Sequence, residues 1–463
     1  MKPMDRAQLV IASNRGPVSF GRDDDGRLVP RRGAGGLVSS LGPLVAGSGA
    51  TWIAAPMSDA DREAAASGRI DVEGFRFHCV DVDPAVYRMA YDVVSNSTLW
   101  FLHHHLFDLP RRPRIDRTWR QAWEGYRAYN QAFSRTLADD SPDGAVVLVQ
   151  DYHLSLVPAQ LAELRPDVRV VHFLHTPFCD PTWLRVLPAG AVDELIGGLA
   201  GATAVGFHSR RWEDAFLGCC REVLGRQPST FVSPLAPDPD DLASVAASDA
   251  CAEEAARLDE AVGDRAVIVR VDRIEPSKNV LRGFQAFDEL LRARADLRGR
   301  VCFVACVYPS REGLADYVAY HLEVETLARH LNDRWAEPGW TPVILHTTDN
   351  FPRSVAALRR YDVLLVNPVR DGLNLVAKEG PVLNTRHGVV ALSREAGAWD
   401  ELRRAAIGLN PFDVTDTAEA LAAALDMDAG ERSRRSRLLA ELASARSPTH
   451  WLSDQLVAAG VAA

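Results

Sequence analysis

AVIVRVDRIEPSKNVLRGFQAFDELLRAR, residues 266–294, carries a complete strand–turn–helix unit. AVIVRVD (266–272) is apolar on both faces, as a strand covered on both sides must be, and NVLRGFQAFDELLRAR (279–294) reads as a helix. Arg273 and Lys278 flank the turn. Of 52 basic residues only three are lysine, namely Lys2, Lys278 and Lys378. A chain that uses arginine almost everywhere has kept lysine at this turn, and a compact ammonium on a thin stem suits a tight site better than a planar fork. Two cations at a helix start are placed to hold a diphosphate, with the helix dipole assisting.

The same rhythm runs outward in both directions. VCFVACVYPS, TPVILHT, DVLLVNP and GVVALS continue it towards the C-terminus; AQLVIAS, AVVLVQD (145–151), VRVVHFLH (168–175) and ATAVGFHS (202–209) form an earlier series. The stretch 236–262, rich in Pro, Asp and Ala, reads as a connection between two halves. The expectation is α/β, with two doubly wound sheets and one cleft between them. Open sheets of this kind take ligands at the carboxyl ends of their strands.

Composition narrows the classes. At 463 residues the chain is too long for one ordinary domain, and 47% apolar with 25% charged residues is that of a folded protein. A net charge of −10 excludes the basic field of a nucleic-acid binder. No apolar run approaches a membrane span, and seven scattered cysteines without a CxxC pair fit a reducing compartment. The expected location is cytoplasmic, with small-molecule ligands as partners; homo-oligomerisation is left open.

Strand ends then supply the candidate chemistry. Gly33, Gly35 and Gly36 precede a helix start, where backbone amides can approach an anion. Asp151 and His153 end AVVLVQD, and His175 ends VRVVHFLH. In NPVRDGLNLVAKEG, Asp371 sits at the tip of a turn, Asn374 and Lys378 share a helix face at i, i+4, and Glu379 follows. A carboxylate there can accept from sugar hydroxyls. HHH (103–105) lacks carboxylates or cysteines at ligand spacing, so no metal is expected. ERSRRSRLL (431–439) reads as a solvated helix face.

Together SNRGPVSF, AGGL, QDYHL, FLHTPF, VDRxxxSKN, RDGxNLVAKE and SREAGA resemble the trehalose-6-phosphate synthases, retaining glycosyltransferases of the GT-B fold, over residues 8–455. The resemblance implies a Rossmann-like acceptor domain over 1–240, a Rossmann-like nucleotide-sugar domain over 241–445, and a helix at 446–463 crossing back to the first. It implies that Arg15 and Arg311 grip the phosphate of glucose 6-phosphate, that Tyr91 and Trp100 are acceptor-site aromatics with Trp52 in the same pocket, and that Asp151 binds an acceptor hydroxyl. Gly36 would lie near the donor diphosphate and His175 against the donor sugar. Arg273 and Lys278 would hold the donor phosphates. Asp371, with the amides of Asn374 and Leu375, would face the transferred glucose, and Glu379 the ribose. Asp151, His175, Arg273, Lys278 and Asp371 form the implied catalytic set, with GDP-glucose or UDP-glucose as donor and no cofactor or metal.

Two segments depart from the family's pattern. Cys179 stands in TPFCDP near where a second proline is common, and GFHSRRWEDAF carries two arginines where relatives have acidic or amide residues. Two alternatives stay open: a pseudo-glycosyltransferase coupling a nucleotide-activated cyclitol to an aminocyclitol phosphate, and a silent sugar-phosphate sensor. The arginine-heavy composition leans the donor base towards guanine.

Overall fold

The computed structural model describes residues 9–461 except 24, 33–35, 67 and 73. The chain divides into two compact units, Met1–Pro234 with Pro448–Ala463, and Leu235–Ser447.

The strands of the first unit are, in chain order, β1 (Leu9–Ser13), β2 (Val18–Arg22), β3 (Leu28–Arg32), β4 (Thr51–Ala54), β5 (Ile70–Val72), β6 (Phe75–Cys79), β7 (Val146–Gln150), β8 (Arg169–Leu174), β9 (Ala204–Phe207) and β10 (Thr230–Val232). Eight of them form one sheet in the order β10-β9-β8-β7-β1-β4-β6-β5, parallel except for β5 against β6. β1 and β7 are wholly buried and pair in register, Leu9 beside Val146 and Ala12 beside Val149. Successive strands step away from this pair in both directions, so the switch point lies between the ends of β1 and β7. After SNRGP the chain forms the antiparallel ribbon β2–β3.

The second unit holds β11 (Ala266–Ile274), β12 (Val301–Pro309), β13 (Val343–His346), β14 (Val363–Val366), β15 (Val389–Ser393) and β16 (Ile407–Leu409), all parallel, in the order β13-β12-β11-β14-β15-β16. Its switch point is between β11 and β14. The stretch read as a connection, 236–262, is instead mostly helix, Pro239–Ala246 and Asp249–Val262. Asp238 and Ser248 cap the two starts by accepting first-turn amides, and Leu242, Cys251, Glu254, Leu258 and Val262 are buried. Proline at the first helical position starts a helix, and this misled the reading.

The last helix, Pro448–Ala458, packs within the first unit. Gln150 Nε2 donates to Gln455 Oε1 at 3.2 Å, Ser233 Oγ to Asp454 at 2.7 Å, and Arg169 to the Ala459 carbonyl at 3.3 Å. Trp451 is fully buried, edge-on to Phe173 at 5.1 Å and 5.7 Å from the ring of His175. Among the described residues no helix is long and apolar enough to cross a membrane. Trp451→Ala removes a large core side chain, and chemical denaturation followed by fluorescence is expected to show a loss of roughly 3–5 kcal/mol from the first unit.

Candidate active site

The first unit gathers its candidates at the β1/β7 switch point. Arg15 follows β1 and is exposed, with its carbonyl accepting from Ser13 Oγ at 2.6 Å. Asp151 follows β7 with φ 69° and ψ 171°, a region that glycine alone adopts without strain. Its amide donates to the Phe173 carbonyl at 2.8 Å, and its Oδ1 accepts from the His175 amide at 3.2 Å. The fold thus holds this carboxylate in place against its backbone preference.

His175 ends β8. Gln150 Nε2 is given to Gln455, so Gln150 Oε1 accepts from His175 Nε2 at 3.0 Å, and His175 Nδ1 faces His208 Nε2 at 3.1 Å. Burial pushes the His175 imidazole down to about 3, so it stays neutral.

Tyr91 and Trp100 stand on and just beyond a helix, Met89–Leu99, wound wide enough that Trp100 N–H donates to Ser95 five residues back. Such windings are rare and concentrate at functional sites. Tyr91 is sandwiched between Tyr87 (5.3 Å) and His153 (5.7 Å), and Trp100 stacks on His104 at 4.0 Å. Trp52 does not line this pocket: it is fully buried in β4, with its indole N–H on Ser13 Oγ at 2.8 Å. Gly36 opens the helix Gly36–Val45; Gly33 and Gly35 lie outside the described residues.

In the second unit the candidates lie at or just after the ends of β11, β12 and β14. Arg273 keeps 37% of its side chain exposed and pairs with Glu275 at 2.9 Å; Arg311 pairs with the same carboxylate at 3.2 Å. Lys278 closes a single turn, Pro276–Lys278, and gives its ammonium to Asp371 Oδ2 at 2.5 Å. Burial alone would lower its pKa, but Asp371 and then Asp272 hold it above the ordinary lysine value. Arg270, fully buried in the middle of β11, fixes this turn: it donates to the Lys278 carbonyl, to Asn367 Oδ1 at 2.6 Å, and pairs with Asp272 at 3.0 Å. A Cβ on Gly283 would stand 2.7 Å from its Nη1, so glycine makes room for the arginine.

Asn374 does not share a helix face with Lys378. It precedes the helix Val376–Leu383 with φ 70°, donates to Asp371 Oδ2 at 3.1 Å and accepts from the Ala377 amide at 3.3 Å. Leu375 is the cap residue of that helix. Lys378 is a structural anchor. It is fully buried, and its three N–H groups meet the Leu235 carbonyl at 2.8 Å and both Glu401 oxygens at 3.0 Å. Glu379 is half-buried, and burial first, then Asp241, pushes its carboxyl up to about 7.

Sequence reasoning missed three contributors. Glu275 sits inside the quoted VDRIEPSKN, where its position between strand and turn was the available signal. Arg270 was hidden in an apolar strand. Gly397, in SREAGA, lets one loop lie on another: a Cβ there would meet the Gly372 carbonyl at 2.0 Å, and Gly397 N donates to Asp371 O at 3.1 Å. Asp371 is thereby held by its backbone as well as its carboxylate.

The distracting clusters have structural partners. His103 accepts from the Cys179 amide at 3.3 Å, and His105 stacks on Trp183 at 4.2 Å. Cys179 is buried, and in GFHSRRWEDAF Arg210 pairs with Glu213 while Arg211 lies over Trp212. The basic helix is only partly a solvated face, since Arg432 and Arg435 turn in to backbone carbonyls.

The strain at Asp151 is measurable. Asp151→Gly and Asp151→Ala both lose the carboxylate, but only the first relieves the backbone. Calorimetry is expected to find the glycine variant more stable than the alanine variant by about 1–3 kcal/mol; equal stability would show no strain.

Comparisons with known proteins place the chain in a family. A family model described as glycosyltransferase family 20 matches residues 7–459. A trehalose-6-phosphate synthase of Mycolicibacterium smegmatis is 32% identical, over 98% of this chain and 93% of its own. Among solved structures, an α,α-trehalose-phosphate synthase (UDP-forming) from Burkholderia xenovorans in complex with glucose-6-phosphate is similar with TM-score 0.84 and 27% identity, covering 98% of this chain and 100% of that one. An E. coli protein bound with UDP-2-fluoro glucose gives TM-score 0.84 and 26% identity, covering 96% of this chain and 98% of that one. Matched from residue 7 to 459 and built on two doubly wound units of GT-B type, the chain is a member of glycosyltransferase family 20.

Proposed function

We propose that this chain moves glucose from a nucleoside-diphosphate glucose to glucose 6-phosphate with retention, giving α,α-trehalose 6-phosphate. The observation that carries the reading is the convergence of Arg273, at the end of β11, with Lys278, Arg311 and Asp371, which follow β11, β12 and β14. Transfer from a nucleotide sugar requires that a diphosphate leave as negative charge develops on it. Cations held before the reaction begins stabilise that charge without reorganising.

In this reading Arg273 and Lys278 take the departing diphosphate. Lys278 reaches it with the N–H groups not spent on Asp371. Asp371 and the amides of Asn374 and Leu375 orient the transferred hexose, and Glu379 accepts from the ribose hydroxyls. Asp151, fixed by its backbone, accepts from the attacking hydroxyl of the acceptor, while Tyr91 and Trp100 shape the acceptor's surroundings. Arg15 and Arg311 serve its phosphate. Positioning of the two sugars supplies much of the rate, with no protein nucleophile. Uridine is the donor base we infer first, because the solved relatives named above are UDP-forming or carry a UDP sugar; GDP-glucose is the competing donor.

A panel of UDP-, GDP- and ADP-glucose with glucose 6-phosphate, read by product mass and nucleotide release, tests the reading; no turnover with any donor rejects it. Lys278→Ala is expected to lower kcat by about 100-fold or more while leaving the KM for glucose 6-phosphate within a few fold. Arg311→Ala is expected mainly to raise that KM.

Glu379 gives a pH signature. An ionised carboxylate only accepts, which suits two hydroxyl donors, and its pKa of about 7 leaves it protonated on the acid side. Donor binding therefore favours the ionised form. The donor KM is expected to rise as pH falls from about 8 to about 6, and Glu379→Gln to flatten that dependence.

A further inference from the structure

Glu275 is fully buried, and the contacts of its carboxylate fall on one oxygen. Oε1 receives Arg273 Nη1 at 2.9 Å, Arg311 Nη1 at 3.2 Å and Ser310 Oγ at 3.0 Å. Oε2 is also buried and has no partner among the described residues. Arg311 is further held by Tyr317, whose hydroxyl accepts from Nη1 at 2.9 Å and whose ring lies beneath the guanidinium, and its backbone is left-handed at φ 50°.

We infer that Glu275 is a positioning residue shared by the two substrates: its single oxygen presets the guanidinium that meets the donor diphosphate and the guanidinium that meets the acceptor phosphate. The inference rests on the assignments of Arg273 and Arg311 made in the preceding subsection. Two guanidiniums this close repel each other, and without an intervening carboxylate they would swing apart. Each gives Glu275 one corner of a five-donor fork, so anchoring and phosphate binding are compatible. Two cations on one anion also leave a surplus positive charge for the incoming phosphates.

Burial alone would raise the Glu275 pKa; Arg273 first, then Arg311 and Lys278, pull it down to about 2 instead. The group is therefore a permanent anion at working pH. Because both arginines bear on the same atom, displacement of one changes the hold on the other. The donor and acceptor arginines are thus coupled through Glu275.

The first test compares Glu275→Gln with the parent enzyme by steady-state kinetics in both substrates. The expected result is a rise of about tenfold or more in the KM for donor and for acceptor together. A variant that was merely less well folded would lower kcat per total protein and leave both KM values unchanged, and that result overturns the inference, as does a rise confined to one substrate. Should the glutamine variant fail to fold, Glu275→Asp keeps the charge one methylene short, and a smaller rise in both KM values is expected from it.

The second test titrates the nucleoside diphosphate product calorimetrically, without acceptor, into the parent, Arg311→Lys, Glu275→Gln and the double variant. Arg311→Lys preserves charge and touches no donor atom in this reading, so it alters diphosphate affinity only through Glu275. A change of about threefold or more is expected in the parent, and little further change on top of Glu275→Gln. Equal effects in both backgrounds, or none in either, refute the coupling. An inactive parent that also binds no diphosphate would reject the functional reading itself, and the parent arm shows this before any variant is measured.

Discussion

Lys278 on Asp371, at 2.5 Å with both side chains nearly buried, is the contact around which the second unit's strand ends are arranged. Seven charged groups crowd that edge: Arg270, Arg273, Lys278 and Arg311 against Asp272, Glu275 and Asp371. Taking any one of them from water unpaired costs several kcal/mol, so the set is tolerable only as a matched network. Among the ion pairs named here four cations meet three carboxylates, an arrangement that fits a site receiving an anion.

The backbone carries a second trace of function. Among the described residues six non-glycines have positive φ, and four of them, Asp151, Asn279, Arg311 and Asn374, are candidate residues or adjoin one. Left-handed conformations cost free energy in residues with a Cβ, and they persist where the surroundings over-determine them. Here the surroundings are visible. Asn279 is held by the Asn367 and Pro411 carbonyls at 3.0 and 2.7 Å, and Asn374 by Asp371 and the following helix. Asn279 is bonded to distant loops and Asn374 within its own turn, and in both the polar side chain accompanies the unusual backbone.

What could be read from the sequence follows from the range over which each feature is determined. Strands buried on both faces announce themselves in consecutive residues, so the parallel sheets were legible, and with them the strand ends where Asp151, Arg273, Lys278 and Asp371 lie. The sharing of one carboxylate by Arg273 and Arg311 was not, because 38 positions separate the two arginines and β12 brings them together only in the sheet. Gly397 was illegible for a similar reason: its necessity comes from Gly372, on the loop after the neighbouring strand. The two helices of 239–262 were lost because proline and aspartate signal both a loop and a helix start, and only the buried positions of Leu242 and Leu258 decide between them.

The two internal lysines show why residue choice alone does not reveal role. Lys378 is fully buried and is held by three protein oxygens, the Leu235 carbonyl and both oxygens of Glu401. Its lysine is explained by structure, and nothing is left over for a ligand. Lys278 presents the complementary case. Its carbonyl is held by the buried Arg270, its ammonium has Asp371 as its side-chain hydrogen-bond partner among the described residues, and its thin stem fits within a turn already crowded by that arginine. The same preference for lysine over arginine thus arises from saturation at one site and from incompleteness at the other, and the incomplete one is where a phosphate can bind.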